Sequence, residues 1–278
     1  MQIYTEIAFK TSKLVTKAYS TSFSLAVRTL SKEMQRAIYS IYGFVRLADE
    51  IVDTFHTVNQ ELVFDTFERD YNEALINGIS MNPILHSFVL TTKKYNIPTH
   101  LVESFLKSMR ADLKKLNYNN TIELNDYIYG SADVVGLMCL MVFVHGDHAL
   151  YAKLEKPAMK LGSAFQKVNF LRDLKADVEL LDRRYFPEFS LDSFDEATKH
   201  QLVLDIESDF REARIGIQGL PGKSKLAVFI AFVYYNQLLK QLKNTPATEI
   251  MQTRIRVPNL IKIVLFGKSY IKYALKVI

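Results

Sequence analysis

Apolar residues recur at three- and four-residue spacing along nearly the whole chain. This period is the strongest restriction on the fold, because it lays an apolar stripe along helices and not along strands. No window shows sustained strict alternation, so little or no sheet is expected. The turn residues agree: 10 glycines and 7 prolines in 278 residues are too few for a many-stranded sheet with tight turns. With no Pro/Gly/Ser-rich linker and no internal repeat, residues 1–278 are expected to form one all-α domain.

The expected helices run over about 6–19, 31–55 with Ser31 as N-cap, 59–77 closed by Asn77-Gly78, 81–94 and 98–116. Further ones cover about 123–146, 157–181 with Pro157 at its start, 196–218, 223–243 and 258–277. Ser20-Thr21-Ser22-Phe23 reads as a polar corner, and 183–193, which contains Pro187, as a loop. The single cysteine, Cys139, excludes an internal disulfide and reads as a small buried hydrophobe. Its apolar run, Val134 to Val144, is 11 residues long, short of the ~20 that cross a bilayer. The first residues lack the pattern of a secretory leader, so a cytoplasmic chain is expected, at most resting on the inner membrane face.

Two aspartates, Asp49 and Asp53, stand four apart and therefore one above the other on a helix; Asp173 and Asp177 repeat the spacing. Acids at this spacing are common on solvated helix faces. Here, however, both pairs lie near helix C-termini, where mutual repulsion and the helix dipole both disfavour anions. Their helices are also strongly apolar around the acids. Arg46 lies three before Asp49, while Gln166, Asn169 and Arg172 precede Asp173. Carboxylates offer oxygen ligands to a hard cation, and the arginines and amides offer donors to phosphate oxygens. A carboxylate and a diphosphate are both anionic, so the combination makes sense with Mg²⁺ between them; Mn²⁺ is an alternative. Such a site can draw a diphosphate off an allylic carbon while apolar and aromatic walls exclude water from the carbocation. Phe23, Tyr42, Tyr129, Phe165 and Phe170 are the nearby rings.

The chain here resembles the squalene and phytoene synthase family of head-to-head prenyl synthases, and more closely its bacterial phytoene and dehydrosqualene synthase branch. The resemblance is carried by Tyr19-Ser20-Thr21-Ser22-Phe23, by Ala37-Ile38-Tyr39-Ser40-Ile41-Tyr42 leading to Arg46 and Asp49-Glu50-Ile51-Val52-Asp53, and by Tyr127-Ile128-Tyr129-Gly130. It continues in Ala164-Phe165-Gln166-Lys167-Val168-Asn169-Phe170-Leu171-Arg172-Asp173 and Arg184-Tyr185-Phe186-Pro187. It implies an all-α isoprenoid synthase bundle around a central cavity. It also implies condensation of two allylic prenyl diphosphates through a cyclopropyl diphosphate. By position, Asp49, Asp53, Asp173 and Asp177, with Asn169, would hold the metal; Arg46 and Tyr129 would join the catalytic set. Ser20, Ser22, Arg46, Tyr42, Gln166, Asn169, Arg172 and Tyr185 would contact diphosphate, and Phe23, Val27 and Phe165 would form cavity wall.

Two positions depart from the family pattern. Ala176 stands where the family often has Glu, and Ser131-Ala132-Asp133 replaces Val-Ala-Gly. Asp133 is then a structural acid, an exposed one, or one facing the diphosphates. Small Val27 leaves room for a longer tail, which favours phytoene formation from two geranylgeranyl diphosphates without NADPH. Squalene or dehydrosqualene formation from two farnesyl diphosphates is the alternative, and a non-catalytic assembly or binding factor a second. The net charge of +5 suits nucleic acid, a membrane or an anionic small molecule, but no basic stripe interleaved with aromatics supports nucleic acid. The charge is local. After Glu249 come Arg254, Arg256, Lys262, Lys268, Lys272 and Lys276 with no acid, leaving the rest nearly neutral. The Lys268, Lys272, Lys276 row suits an anionic membrane surface, and equally an ordinary solvated face.

Overall fold

The computed structural model describes residues 1–115, 117–181, 185–186 and 193–278, with their side chains except at 21, 22 and 178–181. Among them there is no strand. In chain order come α1 (Gln2–Tyr19), α2 (Thr21–Val27), α3 (Lys32–Asp53), α4 (Gln60–Asn77), α5 (Pro83–Tyr95) and α6 (Thr99–Asp112). Then follow α7 (Thr121–Ile128), a π-helical segment (Tyr129–Asp133), α8 (Val134–Phe143), α9 (His148–Leu181), α10 (Glu196–Gly219), α11 (Gly222–Asn244), α12 (Ala247–Ile250) and α13 (Asn259–Ala274).

The ends follow from side-chain chemistry. Ser31 Oγ accepts from the Met34 N–H at 3.2 Å and Asn59 Oδ1 from Leu62 N–H at 3.1 Å, each filling an orphan donor of a first turn. Gly78 closes α4 in the left-handed region at φ 73°. Three expectations need correction. The Ser20 corner is one residue long, since Ser20 itself caps α2. The helix expected over 123–146 is interrupted by the π segment. Pro157 lies inside α9 rather than at its start. A proline there removes one backbone hydrogen bond, and Gly216 of α10 provides the space for its ring: a Cβ on Gly216 would come within 2.3 Å of the Pro157 Cβ. The loop expected over 183–193 lies largely outside the described residues.

Helix α1 packs on α3 and α5, α9 on α8 and α10, and α11 on α10, α2 and α13. Two apolar clusters result. One gathers α3 to α6 and α8 around Phe44, which stacks on Phe88 at 3.9 Å; the other gathers α9 to α11 around Phe210 and Phe232. Each fully buried ring of this kind contributes about 1.5–3 kcal/mol. The helical run Thr121–Phe143 is, at 23 residues, long and apolar enough to span a bilayer by length and composition, longer than the 11-residue run legible in sequence; 67% of its apolar window is buried inside the fold. Its α8 part belongs to the first cluster, while Leu124, Tyr127 and Ile128 of α7 belong to the second.

Candidate active site

The two clusters meet at a cavity of about 450 Å³ that both of them line. Asp49 and Asp53 enter it from the last turns of α3, and Gln166, Asn169, Arg172, Asp173 and Asp177 enter it from α9. Positions 166, 169, 173 and 177 follow the helical period, so one face of α9 presents all four. Away from the acids the lining is apolar and aromatic. Phe23 and Val27 of α2, Tyr42 of α3, Phe165 of α9 and Tyr185 all contribute. The Phe23 and Tyr42 rings lie 3.7 Å apart between centroids, Phe165 stacks on Tyr235 at 3.9 Å, and Phe170 on Tyr185 at 3.9 Å.

Electrostatics sharpen at the acids. Burial, then the neighbouring Asp53, raises the Asp49 carboxyl to about 7; Arg46 opposes that rise, while Asp112 and Glu50 add to it. Arg46 lies over the Tyr19 ring at 4.2 Å, bonds Glu50 and stands 3.6 Å from Asp49. Its Nε is buried with no hydrogen-bond partner. Asp173 is held by two guanidinium groups: Arg172 Nε donates to Oδ1 at 2.9 Å, and Arg254, from the segment before α13, reaches Oδ1 at 2.7 Å and Oδ2 at 3.2 Å.

The residues expected from sequence therefore divide. Phe23, Val27, Tyr42, Asp49, Asp53, Phe165, Gln166, Asn169, Arg172, Asp173, Asp177 and Tyr185 share the cavity lining. Arg46, Ser20 and Tyr129 are not among the lining residues. Ser20 Oγ accepts the Phe23 N–H at 3.3 Å as a helix cap, and burial, then Glu155 and Asp133, raises the hydroxyl of half-buried Tyr129. The Ser22 side chain, Arg184 and Pro187 lie outside the description. Asp133 also stays off the lining. It is 5% exposed and accepts from Ser163 Oγ at 2.8 Å, and Gly162 lets α9 approach it, since a Cβ there would stand 2.9 Å from its Oδ1. Burial raises this carboxyl to about 7, against the Ser163 hydrogen bond.

Sequence reading missed Asp112, Tyr127, Ser131, Tyr235 and Arg254. The Tyr127 hydroxyl donates to Asp112 Oδ2 at 2.8 Å, and both line the cavity. Ser131, on the π segment, lines it with a buried hydroxyl that has no partner. Tyr235 donates to Asn169 Oδ1 at 3.3 Å. Tyr127 stood inside a motif already singled out, and Ser131 inside the stretch that departs from the family pattern; nothing in the spacing marks Asp112, Tyr235 or Arg254.

The donor set suits a hard cation. Carboxylate and amide oxygens are Mg²⁺ ligands, and Mg²⁺ characteristically takes one or two carboxylates and completes its shell with water and phosphate. Among the described residues no three acidic, histidine or thiol groups gather into a metal cage.

An all-α architecture with acids from two helices lining one largely apolar cavity is that of the isoprenoid synthase fold, and solved structures of that fold superpose on the chain. A dehydrosqualene synthase in complex with ligand aligns over 100% of this chain and 99% of its own, with TM-score 0.83 and 22% identity. Squalene synthase HpnC from Alicyclobacillus acidocaldarius aligns over 87% and 95%, with TM-score 0.76 and 20% identity. The family model for squalene/phytoene synthase matches residues 16–260, and the chain belongs to that family of prenyl-transferring enzymes. Among curated relatives, phytoene synthase 3 of Zea mays is 26% identical over 95% of this chain, and phytoene synthase of Arthrospira platensis 26% over 90%. The chain spans 66% of the former's length and 88% of the latter's, and 60% of phytoene synthase 1 of Zea mays.

Proposed function

We propose that this protein joins two geranylgeranyl diphosphates head to head, through a cyclopropyl diphosphate, to phytoene. The observation that carries the reading is the convergence of both aspartate pairs, each at four-residue spacing, on one otherwise apolar cavity. The named activities of the relatives from Zea mays and Arthrospira platensis support it.

Asp49, Asp53, Asn169, Asp173 and Asp177 would hold Mg²⁺, which when bound supplies positive charge to the leaving diphosphate. Arg172 and Gln166 donate to diphosphate oxygens, and Arg46 orients Asp49 from outside the lining. The first substrate loses diphosphate from C1. The double bond of the second attacks that carbon, and loss of one proton closes the cyclopropane. Departure of the second diphosphate, rearrangement and loss of another proton give the hydrocarbon. The overall balance is two diphosphates and two protons released per product. Phe23, Tyr42, Phe165 and Tyr235 keep water off the cations and present ring faces to them. Val27, small and facing the cavity, leaves length for the C20 tail. The two hydrocarbon chains call for a lipid phase nearby, and the basic C-terminal helix is the part of this chain that we expect to meet it.

The test follows diphosphate release from geranylgeranyl diphosphate with Mg²⁺ alone. Two diphosphates per hydrocarbon formed, abolished by a chelator and restored by Mg²⁺ or Mn²⁺, are expected. Release without any carbon–carbon bond formation would refute the condensation.

A further inference from the structure

We propose that the outer face of α13 is a docking surface for an anionic lipid bilayer. This helix is apolar on two opposite sides. Inward, Phe266 and Tyr273 pack against Ala26 of α2 and Leu226 and Ile230 of α11, and Ser269 is buried. Outward, Leu260, Ile263, Val264 and Ile271, with Leu275 just past the helix end, recur at three-, four- and seven-residue intervals. Each is 46–73% exposed. At 3.6 residues per turn they form one continuous row. A single exposed leucine needs no account, whereas a contiguous apolar row marks a contact surface.

Charge selects the occupant. Lys268 and Lys272 border the row and Lys276 follows it; all three are exposed. Among the described residues no acid pairs with any of them, and no acidic residue follows Glu249 in the chain. A second copy packed on this face would bring two lysine rows together with nothing to neutralise them. An anionic bilayer supplies both the apolar depth and the negative headgroups.

The placement gives the contact a use. Helices α2 and α11, on which α13 rests, also line the cavity through Val27, Ala227 and Val228. Docking sets that wall, behind which prenyl tails would lie, next to the lipid phase. The surface itself is read from α13 alone, so docking holds whatever the cavity binds.

Co-sedimentation of the full chain with vesicles of phosphatidylcholine, with or without phosphatidylglycerol, tests this. Binding only to the anionic vesicles, weakened by salt, is expected. Lys268→Gln with Lys272→Gln should lower the partition constant about thirty-fold. Ile263→Ser with Ile271→Ser should also release the protein, with helical content and diphosphate release in detergent unchanged in both variants. Equal binding to neutral and anionic vesicles, no binding, or binding untouched by both double variants would overturn the proposal. So would a dimer in ultracentrifugation that Ile263→Ser with Ile271→Ser dissolves. Docking that persists in a protein without condensing activity would count against the reaction alone.

Discussion

Asp49 and Asp173 occupy equivalent places in their pairs but are held differently. Asp49 is raised to about 7 by burial and by Asp53, whereas Asp173 lies between Arg172 and Arg254. In the proposed reaction each needs its charge to hold a cation, so Asp49→Asn and Asp173→Asn are each expected to cut turnover by two orders of magnitude or more. Circular dichroism should stay unchanged, and turnover within a few-fold of the parent would remove the metal assignment. Asp133 differs in lying off the cavity lining, where no cation is proposed to hold it ionised; its raised carboxyl favours the neutral form in the fold. Below about pH 4 it is protonated folded and unfolded alike; as pH rises toward 7 the unfolded chain ionises first and stability is lost. Asp133→Asn keeps the Ser163 hydrogen bond and should therefore stabilise the protein at pH 8, by on the order of a few kcal/mol, with almost no effect at pH 4. Denaturant melts at both values check the sign. At this scale the sequence showed the acids, because carboxylates stacked four apart in an apolar helix are anomalous. It could not separate Tyr127 from Tyr129, since choosing between them requires the helix phase that the π segment changes. Nor could it bring Arg254 to Asp173, since a contact across 81 residues leaves no local pattern.

Among the elements, those with strong caps were legible in place and length: Ser31 and Asn59 open α3 and α4 as expected, and Gly78 closes α4. The misreadings are where tertiary contacts override local rules. Pro157 signals a helix start by its chemistry, yet α9 runs through it because Gly216 on α10 makes room for the ring. The same contact yields a prediction. Gly216→Ala places a methyl group against Pro157, and overpacking of this kind costs about 1–3 kcal/mol. Thermal unfolding should register a drop of several degrees, and an unchanged midpoint would show that α9 and α10 do not meet there. The π segment likewise needed structure. Its Gly130 lies so close to α6 that a Cβ would stand 2.8 Å from the Ser104 carbonyl oxygen, a packing constraint absent from apolar periodicity. Extra helical residues of this type often aim side chains at functional sites, and here Ser131 reaches the cavity.

At the scale of the whole molecule, the all-α class was legible because the apolar period persists through nearly every element, and the cavity because both acid pairs needed one enclosure. Its depth was not, since small residues far apart in the chain, Val27, Ala213, Gly216 and Ala231, line it together. In the proposed reaction depth sets tail length. Val27→Phe should therefore raise KM for geranylgeranyl diphosphate several-fold more than for farnesyl diphosphate, and an equal change for both would place Val27 away from the tail. The most direct test of the account is product analysis by mass spectrometry, with purified protein, Mg²⁺ and an equimolar mixture of geranylgeranyl and farnesyl diphosphates, without reductant. The account predicts phytoene as the principal product; C30 hydrocarbon alone, formed from farnesyl diphosphate, would contradict it.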